Sequence, residues 1–359
     1  MTDAPSAASG GPPPEGGAPD SVPAIDTPLT RHAGIRVPVV CGAMYPCSNP
    51  ELVAAASAAG GIGIVQPVSL TYVHGWDFRE GLRYIRSLTD RPIGMNALIE
   101  QGSKTYRRRM EAWLDIALEE GVRFFVTSLG KPRWVVERTA AGGGIVYHDV
   151  TERKWALKAV DSGVHGLIGV NALAGGHPGP RTPEALLDEV GDLGLPVVCA
   201  GGVATEEDFV RVLRLGYAGV QMGTRFIATP ECSAPDAYKQ AILEAGSDDI
   251  VHTERISGVP VAVIDTPYIR RMGLKAGWFA RRMLRGRRTK HWMRTFYALR
   301  SFWQLRRALR DTTGSTEYWQ AGRSVAGIRA IEPTGEIIGR FARAAARAGL
   351  GGGAPGSPG

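Results

Sequence analysis

The sequence reads as an α/β protein, a (β/α)₈ TIM barrel with a helical insert after its eighth strand. Three observations predict this. Eight short apolar runs recur with starts about 20 to 31 residues apart, each interval leaves room for one helix, and the runs lack a clean polar/apolar alternation. Parallel strands covered by helices on their outer face produce that pattern. Eight such units suffice to close a barrel; an open doubly wound sheet is the structural alternative, although such sheets usually have fewer units.

The predicted strands cover residues 37–41, 62–65, 93–95, 124–127, 145–147, 167–170, 197–199 and 219–222. Predicted helices include 50–59, 106–119, 151–162, 182–190 and 205–215. Their ends carry recognisable chemistry. In GGVATEEDFVRVLRLG, Thr205 is placed to cap a helix whose first turn holds Glu206, Glu207 and Asp208, all favourable near the positive helix end. Gly216 supplies a left-handed stop. Asn49-Pro50 marks another helix start and Gly60-Gly61 its end.

Residues 1–27 are rich in Pro, Gly, Ala and Ser and are expected to be a disordered tail, as are residues 350–359. The barrel is expected over 28–224, the basic helical insert over 225–312, and a C-terminal segment over 313–349 with a helix near 335–347. The formal net charge of +7 is unevenly distributed. Between Tyr268 and Arg310 lie 14 Lys/Arg and no Asp/Glu, so the rest of the chain has 28 basic against 35 acidic residues. Trp278, Phe279, Trp292, Phe296, Phe302 and Trp303 are interleaved with these cations. Such a segment suits a lid or subunit contact, an anionic membrane surface, or an acidic carrier protein. No nucleic-acid-binding module is recognisable.

Cys41, Cys47, Cys199 and Cys232 form no C-x-x-C pair and have no accompanying His cluster, which argues against a disulfide framework or a zinc site. The N-terminal stretch has neither a basic nor an apolar signal region, and no run of 18 apolar residues occurs. A reduced, cytoplasmic setting is the expectation.

Barrel ligands bind at the C-terminal strand ends, with phosphates favouring the loops after strands seven and eight. Gly201 and Gly202 follow the seventh strand; Gly223 and Thr224 follow the eighth. Main-chain N–H groups at glycines can approach an anion closely, and the threonine hydroxyl adds a donor. Gly42, Ala43 and Met44, after strand one, offer a flat backbone surface for an aromatic ring, and Asn96, just after strand three, can bond a ring edge. Ala174, Gly175 and Gly176 lead into His177 and Pro178 after strand six. An imidazole on so constrained a loop at the catalytic face is the first candidate for acid/base work; His148, just after strand five, is the second. With no G-x-S-x-G elbow and no paired carboxylates at strand ends, hydrolase chemistry is disfavoured and cofactor-based redox chemistry favoured.

Four segments, PVVCGAMYPCSNPELVAAASAAGGIGIV, AGGHPG, LPVVCAGGVATEEDF and GVQMGTRFIATPEC, resemble the nitronate monooxygenase family over about residues 30–270. That resemblance implies a TIM barrel binding FMN non-covalently. It places Gly42, Ala43 and Met44 along the isoalloxazine and Asn96 against the ring. Gly201, Gly202, Gly223 and Thr224 would lie at the phosphate, with Gln221 and Met222 nearby. Ala174, Gly175 and Gly176 would run beside the flavin, and His177 would face the substrate as acid/base. Where the family often has Gln-Gly-x-Glu before its Ala-Gly-Gly-His, this chain has Val170-Asn171-Ala172-Leu173. The implied reaction is oxidation of an alkyl nitronate by O₂ to a carbonyl compound and nitrite. Flavin-dependent enoyl-thioester reductases, which use NAD(P)H on a CoA or carrier-protein thioester, look similar and are the alternative.

Overall fold

The computed structural model describes residues 22–99, 104–255, 258–275 and 318–350. Eight parallel strands close into a barrel in sequence order: β1 (Val39–Cys41), β2 (Ile62–Val65), β3 (Gly94–Leu98), β4 (Phe124–Ser128), β5 (Ile145–Val150), β6 (Gly166–Val170), β7 (Val197–Ala200) and β8 (Gly219–Met222). Closure is made by β1 on β8, with Val40 opposite Gln221. The predicted fold class is therefore the observed one. The helical intervals are α2 (Pro50–Ala58), α3 (Phe78–Leu88), α4 (Lys104–Glu119), α5 (Arg133–Ala140), α6 (Arg153–Val160), α7 (Pro183–Val190) and α8 (Glu206–Leu215). Thr205 and Asp208 form a reciprocal capping box at the start of α8, and Gly216 closes it at φ 107°.

Two apolar cores follow from the two-residue period of the strands. The outer one, between strands and helices, contains Met95, Phe125, Val146, Leu167 and Val220. The inner one fills the lower barrel with Val40, Ile62, Ile64, Phe124, Val126, Tyr147, Ile168 and Val198. A short N-terminal helix, α1 (Pro28–Ala33), closes this floor; its Leu29 and Ala33, with Ile35, join the inner core. The expected tail boundary at residue 27 moves accordingly. Val22 and Ile25 are buried, and Thr27 caps α1 through a reciprocal pair with Thr30. Residues 1–21 lie outside the described residues.

The insert is also corrected. After α9 (Thr224–Ile227) and α10 (Asp236–Glu244) comes an antiparallel pair, β9 (Ile250–Thr253) and β10 (Val261–Ile264), followed by α11 (Pro267–Met272). Val251, Val261 and Val263 pack with Ile269, Tyr268 and Tyr318 in a small core of their own. β-Branched residues at alternate positions explain the strands, a signal hidden by the neighbouring helical stretches. The aromatic-basic stretch from Trp278 to Arg310 lies outside the described residues. The last helix, α12 (Thr334–Arg347), packs on α8, with the Phe341 and Phe209 rings stacked at 5.1 Å.

Candidate active site

The mouth of the barrel is assembled from loops that depend on one another. β7 and β8 are adjacent, with Ala200 opposite Gln221, so Gly201–Gly202 and Gly223–Thr224 leave neighbouring strand ends. Gly201 adopts φ 113°, and a Cβ there would lie 2.5 Å from the Ala174 backbone nitrogen. Glycine is thus required both by dihedral and by the close approach of the β6 loop. Gly223 passes beside Met44, whose sulfur would be 3.2 Å from an added Cβ. Gly42 donates its N–H to the Met222 carbonyl at 2.9 Å and lies against the Gln221 side chain.

Strand alternation sorts the remaining candidates. Asn96 lies within β3 between the outward-packed Met95 and Ala97, so it faces inward. Gln221 faces inward as well, and its Oε1 is buried without a hydrogen-bond partner. Ala43 packs on the inner core. Met222 points outward into the helix layer and reaches the site only through its carbonyl. His148 is likewise displaced from its expected place. It falls within β5 on the outer face, buried, with Nδ1 2.8 Å from the Thr127 hydroxyl. The reason is register: a one-residue step along a strand exchanges the two faces. Burial lowers its imidazole pKa to about 4.

His177 remains at the mouth. It is exposed, yet the crowded loops around it desolvate the ring and hold its pKa below the usual 6.5, which keeps it neutral near pH 7. Its loop is held on both sides. The Gly176 carbonyl accepts from Ala262 of β10 at 2.7 Å. Gly175 lies so close to Gly322 that a Cβ would be 2.9 Å from its backbone nitrogen. Ala174 is buried beneath them.

Sequence reasoning missed three contributors. Asn171, fully buried, donates to the Gly201 carbonyl at 2.9 Å and accepts from Leu173 N–H at 2.8 Å, joining the β6 and β7 loops. An Asn directly after a strand and before a glycine loop was the available signal. Residues 318–323 return across the mouth. Ile264 N–H donates to the Trp319 carbonyl at 2.9 Å, Gly322 N–H to the Thr224 hydroxyl at 3.0 Å, and Arg323 N–H to the Leu173 carbonyl at 3.0 Å. Nothing local in the sequence announces that return. The third is Asp149, an inward-facing carboxyl near the end of β5.

All four cysteines are buried and unbridged. Among the described residues no group of His, Cys, Asp or Glu side chains could hold a metal ion, and no helix is long and apolar enough to cross a membrane.

A closed barrel, with the inward Gln221 amide oxygen lacking a partner and a histidine over glycine loops, defines the class: a barrel oxidoreductase. The nitronate monooxygenase family model matches residues 26–341. The chain is 32% identical over 262 residues to (3aS,4S,5R,7aS)-5-hydroxy-7a-methyl-1-oxo-octahydro-1H-indene-4-carboxyl-CoA dehydrogenase of Mycobacterium tuberculosis, covering 71% of each chain. It is 30% identical over 257 residues to nitronate monooxygenase of Pseudomonas aeruginosa, covering 60% of this chain and 72% of that one. FabK from Thermotoga maritima superposes with a TM-score of 0.73 at 26% identity, over 90% of this chain and 97% of that structure. The chain belongs to the nitronate monooxygenase family, and as such is a flavin-type oxidoreductase.

Proposed function

We propose that this protein is an FMN-dependent oxidoreductase acting on an acyl thioester of CoA or a phosphopantetheine carrier, with His177 as the acid/base residue. The observation that carries the substrate class is where the chain on either side of the cationic stretch is held. Its entry is held where Glu254 N–H donates to the Leu274 carbonyl at 2.8 Å. Its exit is held where Tyr318 and Trp319 pack on and bond to β10. Both anchors belong to the hairpin that also grips the histidine loop. Residues 275–317, between these two anchors, contain twelve of the fourteen cations counted above. A polyphosphorylated CoA moiety needs such a counter-charge; a small monoanionic nitronate does not. The dehydrogenase relative of M. tuberculosis, named for a carboxyl-CoA compound, supports the same class.

In this reading Gly201, Gly202, Gly223 and Thr224 hold the FMN phosphate, the last through a hydroxyl proton left available because its oxygen accepts from Gly322. Gly42, Ala43 and Met44 line the ring, Asn96 and Gln221 meet its polar edge, and Ala174, Gly175 and Gly176 run beside it. The orphaned Gln221 Oε1 fits such a partner. When bound, FMN would supply hydride transfer to or from the β-carbon of the thioester. His177, neutral at its lowered pKa, would take the α-proton at an imidazole nitrogen, and in the reverse direction the imidazolium so formed would return it. β10 and Gly322 hold the Gly175–Gly176 stretch that carries the imidazole.

A second reading, oxidation of an alkyl nitronate by O₂, is supported by the P. aeruginosa relative named for that activity. Anaerobic mixing separates the two. Flavin bleaching by NAD(P)H followed by reoxidation with an enoyl-CoA, or direct bleaching by a saturated acyl-CoA, supports the thioester reading. Bleaching by a nitronate alone overturns it in favour of the second.

A further inference from the structure

Asp149 is the one ionisable carboxyl among the inward-facing positions of the eight described strands. The inner core fixes the register: Tyr147 packs inside the barrel, so Asp149, two residues nearer the mouth, faces the same interior one layer higher. The residue is half-buried. Its Oδ1 is sealed from solvent and has no hydrogen-bond partner.

The groups facing it offer no counter-charge. From β4 comes Ser128, one step past the Thr127–His148 pair; from β6, Ile168 and Val170; from β3, Asn96; just after β2, Gln66; from β8, Gln221. His148, the next residue back, points outward to Thr127. His177 stands on the loop after β6. His74, after β2, is desolvated and bonds the Pro46 backbone. Lys131, after β4, is exposed. Burial alone, with no neighbouring charge contributing, pushes the Asp149 carboxyl up to about 7.

A carboxyl in this position is costly to the empty protein, because a buried polar atom without a partner destabilises it. Gln221 Oε1, on the inward face of β8, is in the same condition. Two orphaned polar atoms on inward-facing positions of the same barrel are best explained by a bound group that supplies the missing partners.

We propose that Asp149 is a cofactor-contacting residue of this site, its carboxylic acid hydrogen-bonding the polar ring edge of the bound flavin from β5. The inference rests on the FMN reading above but is independent of which substrate is used. Where the adjoining strand β6 presents the apolar Val170, β5 supplies the polar contact. As an acid the group donates to a ring carbonyl; as a carboxylate it accepts from a ring N–H and places negative charge beside the flavin.

The test is FMN titration of the apo-protein by fluorescence quenching for wild type, Asp149→Asn and Asp149→Ala, with thermal melts of each apo form. The absorbance of bound FMN is then recorded from about pH 5 to 9. The expected result is FMN binding weakened about 10- to 100-fold in Asp149→Ala and restored to within a few-fold by Asp149→Asn. The two apo variants should melt no lower than wild type. The wild-type flavin band should shift with pH, and Asp149→Asn should abolish the shift. Wild-type-like affinity in Asp149→Ala with an unchanged pH response overturns the inference while leaving the FMN reading intact. A wild-type protein that does not bind FMN overturns both. An apo Asp149→Asn that melts well below wild type assigns the carboxyl a structural role and overturns the inference as well.

Discussion

The floor and the mouth of this barrel are built from the same eight strands and finished in opposite ways. At the floor, Phe124 and Tyr147 pack with ring centroids 5.1 Å apart, and the buried tyrosine hydroxyl is satisfied by His32 Nδ1 at 3.0 Å. Helix α1 seals what remains. At the mouth the inward residues turn polar, two of them hold orphaned atoms, and glycine replaces side chains at the loop crossings. The difference teaches that unmet hydrogen-bonding capacity in this protein is placed where a ligand enters, while stability is concentrated at the other end.

That division can be broken from either side. Replacing His177 with Ala should lower the rate of the proton-transfer step about 10²- to 10⁴-fold while FMN affinity stays unchanged, as read by stopped-flow and flavin titration. Loss of FMN binding in that variant would erase the distinction between cofactor grip and acid/base group.

At the floor, Phe124→Ala should cost about 3–5 kcal/mol in denaturant unfolding, with the affinity of the surviving folded protein for FMN unaltered. Phe124 is 2% exposed and far along the strand from the loops that carry the site.

Between these ends lies His148. Its folded-state pKa of about 4 lies below the ordinary 6.5. The neutral form is favoured by folding, so this contribution is full above pH 6.5 and is lost as pH falls through 6.5 toward 4. The loss amounts to about 3 kcal/mol by linkage. His148→Gln should flatten the fall in stability over that window, measured by urea unfolding at several pH values. It should leave the pH profile of catalysis unchanged, because the side chain faces the helices; a shifted profile would place it back at the mouth.

Smallest is Thr224→Ala. It strips the acceptor from Gly322 N–H and should cost about 1–3 kcal/mol in stability, with weaker FMN binding, whereas Thr224→Ser should restore both. Equal FMN affinity in the alanine variant would remove this hydroxyl from the phosphate grip.

Much of the architecture was readable because its causes are local. β2 and β8 were located to the residue, since apolar runs bounded by glycine admit few other boundaries. The α8 capping box was readable from Thr205 and the acids after it. His148 was misplaced because alternation shows two faces but not which one turns inward. Asp149 was passed over for the same reason. β9 and β10 were masked by short length and helical surroundings, and residues 318–323 carry no local signal for the strand-like path they take over the mouth.

By itself, then, the sequence determined the repeating βα unit, the glycine loops at the strand ends and the histidine among them. Each depends on neighbours a few residues apart. Only the tertiary structure decided which side chains face the barrel axis, how the C-terminal segment is bonded to the histidine loop, and that Asp149 and Gln221 both face the barrel interior. Those outcomes depend on strand register and ring closure, which bring together residues more than 70 positions apart in the chain.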